Sequence, residues 1–85
     1  MPKRLGVVGI FVESLSASTE INAILHEFAG IIVGRMGLPY RERRVAVIAL
    51  IVDGEVDEIS ALTGRLGRVP STSVKTALSR EPAQG

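Results

Sequence analysis

The sequence predicts an α+β fold, a ferredoxin-like βαββαβ sandwich in which a four-stranded antiparallel sheet carries two helices on one face. Three observations lead there. Apolar periodicity alternates between strand and helix patterns in the order strand, helix, strand, strand, helix, strand. Two right-handed β-α-β units sharing a central hairpin give that sheet and no simpler one. The chain has 85 residues, enough for one domain, expected over 1–80 with 81–85 as a disordered tail.

The elements follow in order. Leu5 to Glu13 reads as a strand, because Val7, Val8, Ile10, Phe11 and Val12 are strand formers and Glu13-Ser14 ends the run. Ala17 to Ala29 reads as a helix, with Ile21, Ile24, Leu25 and Phe28 forming one stripe at helical spacing. Ser16 or Ser18 is expected as its N-cap and Gly30 as its stop. Ile31 to Leu38 is a weaker strand interrupted by Gly34 and Gly37, and 39–43 is expected to be the hairpin connection. Arg44 to Val52 is the strongest strand, broken by Asp53-Gly54. Asp57 is the expected cap of a second helix to about Leu66, with Ile59, Leu62, Thr63 and Leu66 inward and Gly67 as its stop. Ser73 to Leu78 forms the last strand.

In this topology the first and third strands are central. Both are apolar on both sides. On the third, Val45, Val47, Ala49 and Ile51 take one face and Ala46, Ile48, Leu50 and Val52 the other. Two helices cover only one face of a sheet. The other face would expose an apolar patch that soluble monomers rarely carry, so a homo-oligomer is expected. Which set faces outward does not follow from the alternation itself.

Composition narrows the function. The chain is 46% apolar with a mean hydropathy of +0.32, high for so small a domain. It lacks an apolar run of about 18 residues, so no membrane span is expected, and its basic start precedes no signal-peptide core. With no cysteine, disulfides and thiolate metal sites are excluded, and a cytoplasmic location is expected. The formal charge of +1 provides no electrostatic footprint for nucleic acid.

Few residues could carry chemistry. His26 is the only histidine, reads as solvated beside Asn22, and lacks the partners of a metal site. The carboxylates suit caps and exposed faces better than acid–base catalysis, so no enzyme activity, no catalytic or metal residue and no cofactor is expected. Tyr40 followed by Arg41-Glu42-Arg43-Arg44 is the densest charge cluster, either a solvated hairpin tip or a receiver of an anion or acidic partner. Gly64, inside the second helix, reads as a point of close packing against the sheet or a partner.

Four segments together resemble a known family: Leu25-His26-Glu27-Phe28, Arg35-Met36-Gly37-Leu38-Pro39-Tyr40-Arg41-Glu42, Ala61-Leu62-Thr63-Gly64-Arg65-Leu66-Gly67 and Val74-Lys75-Thr76. They are similar to the iron-only hydrogenase system regulators, an ACT-like family related in structure to the C-terminal domain of nickel-responsive regulators. The resemblance spans roughly 5–80. It implies self-association and a regulatory link to assembly or expression of the hydrogenase, with no established ligand; the leading reading is a regulatory module acting through a protein partner or an unidentified small ligand. Arg35, Tyr40, Arg41, Glu42 and Gly64 are the positions expected to touch ligand or partner.

The chain departs from its relatives at several points. Ser71-Thr72 stand where the family often has Gly-Val. The nickel regulators' His/Cys cluster is missing, as is the glycine that amino-acid-binding ACT domains place after the first strand. No ribbon-helix-helix arm is present, so direct DNA binding is not expected. The competing readings are a small dimeric ferredoxin-like enzyme and a purely structural assembly subunit.

Overall fold

The computed structural model describes residues 3–80. The elements are β1 (Arg4–Val12), α1 (Ser18–Glu27), β2 (Ile32–Tyr40), β3 (Val45–Gly54), α2 (Val56–Gly67) and β4 (Thr72–Leu78), with single 3-10 turns at Leu15–Ala17, Ala29–Ile31 and Arg41–Arg43. The sheet order is β2-β3-β1-β4 and every pairing is antiparallel, so β1 and β3 are central as expected. The expected tail at 81–85 lies outside the described residues.

Register decides the question the alternation left open. Val8 pairs with Leu50 and Gly6 with Val52, and this set points to the helices. Val8, Ile10, Val12, Leu50 and Val52 are buried against Ile21, Ile24 and Leu25 of α1 and Ile59, Leu62 and Leu66 of α2. Among the described residues no polar or charged side chain is buried. Each fully buried Leu or Ile contributes about 1.5–3 kcal/mol relative to exposure. The opposite set, Val45, Val47, Ala49 and Ile51, faces away from the helices with Leu5, Val7 and Phe11.

Several local expectations are corrected. α1 starts after a 3-10 turn, and neither Ser16 nor Ser18 caps it. The Ser14 and Ser16 hydroxyls instead bond each other at 2.8 Å, and Ser18 is already helical. α1 ends at Glu27, short of Gly30, because Phe28 leaves the helical region. Pro39 and Tyr40 belong to β2 rather than to the connection, which shrinks to 41–44. Asp53 and Gly54 extend β3, since they pair with Leu5 and Arg4. The cap of α2 is Glu55, not Asp57: the Glu58 carboxylate accepts the Glu55 N–H at 2.9 Å in a capping box.

Between Ile32 and Gly34 the β2–β3 register shifts. This bulge reverses the faces of all that follows, because the side-chain period of a strand is two. Ile32 packs on the core, whereas Met36, Leu38 and Tyr40 pair with Ala49, Val47 and Val45 on the open face.

Candidate functional site

A concavity lies at one end of the sheet, between the β1–α1 connection and the β2–β3 hairpin. It has a volume of about 530 Å³, within the range of small-molecule sites. One wall is apolar: Val12, Pro39 and Ala46 lie on the helix side of the sheet, with Val12 and Pro39 both paired to Ala46. Ala46 is the smallest residue in a row otherwise made of Ile48, Leu50 and Val52, and its short side chain leaves the space open. Leu15 projects from the 3-10 turn beside the cavity and is 91% exposed.

The polar lining comes from both loops. Glu13, Ser14 and Ser18 stand on the β1–α1 side, and Tyr40, Arg41 and Arg44 on the hairpin side. The β1–α1 segment is fixed by the Glu13 N–H donating to the Ser71 carbonyl at 2.8 Å and the Ala17 N–H donating to the Ser14 carbonyl at 3.1 Å. On the hairpin, the Arg44 N–H closes the turn on the Arg41 carbonyl at 3.1 Å. Arg44 itself is left-handed, with φ 54° and ψ 38°. That conformation costs a non-glycine residue on the order of 1–2 kcal/mol. Among the described residues neither the Arg41 nor the Arg44 side chain makes a hydrogen bond or ion pair. The turn 41–44 carries three arginines and one glutamate, so an anion is favoured there.

The expected contact residues divide. Tyr40 and Arg41 line this cavity. Glu42 sits exposed on the same turn without lining it. Arg35 lies elsewhere, in a cleft of about 320 Å³ with His26, where its guanidinium donates to the Asn22 amide oxygen at 2.7 Å. Gly64 is not close-packed within the chain: a Cβ there would meet nothing within 4 Å. Its helix neighbour Arg65 instead pairs with Glu27 and lies 5.7 Å from the centre of the Phe28 ring, tying α2 to the end of α1. Sequence reasoning missed Arg44, Ser14, Ser18 and Leu15 as cavity residues. Arg44 alone carried a signal, as part of the charged run.

Among the described residues no cluster of His, Cys, Asp or Glu could hold a metal ion, and no helix is long and apolar enough to cross a membrane.

Comparison with known proteins gives the family and the fold. The family model described as "TM1266-like: Iron-only hydrogenase system regulator, putative" matches residues 4–76. The solved structure of the uncharacterized protein TM1266 from Thermotoga maritima is 35% identical, with a TM-score of 0.88 over 92% of this chain and 99% of that one. The C-terminal domain of the MgtC protein from Mycobacterium tuberculosis shares the fold at 11% identity and a TM-score of 0.72, over 96% of this chain and 94% of that one. A formyltetrahydrofolate deformylase from Pseudomonas putida KT2440 contains a similar unit, at 10% identity and a TM-score of 0.62, over 86% of this chain and 28% of that one. No curated protein matches by sequence.

Proposed function

Because the chain belongs to the TM1266-like family of iron-only hydrogenase system regulators, we propose that it acts as a homo-oligomeric regulatory module of that system, through a protein partner or a small ligand. The observation that carries this reading is the family match over residues 4–76, which includes both loops of the cavity. The interior agrees with a binding module. Its core is wholly apolar among the described residues, and the polar groups gather where two loops meet at the surface. A small ferredoxin-like enzyme would need a titratable group held in that interior, so the regulatory reading is preferred over the enzymatic one.

The partner is a protein or a small molecule rather than DNA. The formal charge is +1 and the one arginine cluster sits on a four-residue turn, too short a footprint for a duplex. The test is genetic. Deleting the gene in its own host is expected to change the amount of active iron-only hydrogenase at least twofold, read as hydrogen evolution from cell extracts. Unchanged activity and unchanged hydrogenase transcript across growth conditions would overturn the reading.

A further inference from the structure

We infer that the cavity between the β1–α1 connection and the β2–β3 hairpin binds a small organic acid, a single carboxylate on a compact apolar body. The inference deepens the reading of the chain as a ligand-responsive module and rests on it.

Three features point to this class of ligand. The first is chemical division. Val12, Pro39 and Ala46 form an apolar wall, and Arg41 and Arg44 stand on the hairpin at its edge. A guanidinium reads a carboxylate through paired N–H donors, and these two have no carboxylate partner among the described residues. The second is Arg44 in the left-handed region, with φ 54°, at a turn position where glycine would be unstrained. A strained residue at the edge of a cavity is where a binding role is expected to offset a folding cost. The third is Leu15, 91% exposed on the opposite loop, an apolar side chain that a ligand's body would cover.

Charge sets the sign and number. Arg41 and Arg44 give two positive groups and Glu13 one negative group, so the lining favours one anionic head over a cation. Size sets the body. About 530 Å³ holds a ring or a short branched chain and no macromolecule.

The test is a titration of the full-length, nitrogen-15-labelled protein with three probes that share one ring: cyclohexanecarboxylate, cyclohexylammonium and cyclohexanol. The carboxylate is expected to move the amide resonances of residues 13–18 and 40–46 saturably. The alcohol and the ammonium should bind at least tenfold more weakly. Arg44→Gly is expected to weaken the carboxylate at least fivefold while leaving the melting temperature unchanged or higher. A merely structural arginine would not show that combination. Should that variant fold poorly, Arg41→Ala on the exposed turn serves as the second variant, with the same expected loss. Ala46→Leu, which fills the cavity, is expected to abolish the shifts. Equal binding of the three probes, shifts confined to the open face of the sheet, or undiminished carboxylate affinity in both arginine variants would each overturn the inference. Any of these leaves the hydrogenase deletion result standing, because that experiment does not use the cavity.

Discussion

Single residues show where the backbone conformation differs from what the side chain prefers. Besides Arg44, the one other non-glycine residue with positive φ among those described is Ser71, at 60°. Its carbonyl anchors the Glu13 N–H at 2.8 Å. The loop thus keeps its left-handed geometry without the residue that adopts it freely. Ser71→Gly is expected to stabilise the protein by about 0.5–1 kcal/mol through relief of that strain, less the larger unfolded-state entropy of glycine. Chemical denaturation measures it, and a fall in stability would show that the serine side chain contributes more than the strain costs. The conformation at 71 is not legible in the sequence, since serine carries no signature for the left-handed region. Close packing against the sheet, one of the two roles read for Gly64, falls at other glycines. The tight glycines are Gly6, whose Cβ would come within 2.9 Å of Leu78, and Gly54, where it would come within 3.0 Å of Ile31. The first is set by a strand-pairing partner and the second by the turn before β2, both distant in the chain.

At the level of elements, the order and types were legible because apolar spacing reports them directly, while boundaries and faces were not. β2 is the instructive case. Ile32, Gly34, Met36, Leu38 and Tyr40 share one parity in the sequence, and a regular strand would send all of them to the same face. The bulge after Ile32 divides them, leaving Ile32 on the core and the rest on the open side. Gly34 at the shift is a residue that bulges favour, but Gly37 reads the same way in the sequence, and only the pairing with β3 shows which of the two marks the bulge. α2 offers the reverse lesson. Its capping box, Glu55 with Glu58, has a glutamate at the cap, outside the residues that usually fill that place, so Asp57 looked the better candidate. The helix also carries Gly64 on a surface where a methyl group would meet nothing. Gly64→Ala is expected to stabilise the fold by about 1 kcal/mol, the helix-propensity difference, measured by thermal or denaturant unfolding. If oligomer formation is lost at the same time, the open surface at Gly64 is a partner contact.

For the whole molecule, the decisive feature is the sheet face away from the helices. Leu5, Val7, Phe11, Met36, Leu38, Tyr40 and Ile51 are all exposed there. Together they form one exposed apolar patch of the kind that monomers rarely carry uncovered. Lys75 on β4 and Asp53 at the end of β3 put charge at the margins, the arrangement of an apolar centre with a polar rim. We propose that a second copy covers this face, the same patch packing on itself through a two-fold axis. Burial of several Val, Leu and Ile side chains, about 1.5–3 kcal/mol each, is large enough to offset the ~4–15 kcal/mol lost on association. Val47 tests this at the centre of the face, where it pairs with Phe11 on one side and Leu38 on the other. Val47→Asp is expected to give a folded monomer, with native circular dichroism and half the mass by light scattering. The neighbouring change Ile48→Asp buries a carboxylate against the core and is expected to unfold the subunit, because an unpaired buried charge costs several kcal/mol. A wild-type protein that light scattering finds monomeric at micromolar concentration would refute the dimer, and a Val47→Asp variant that stays associated would move the interface to another face.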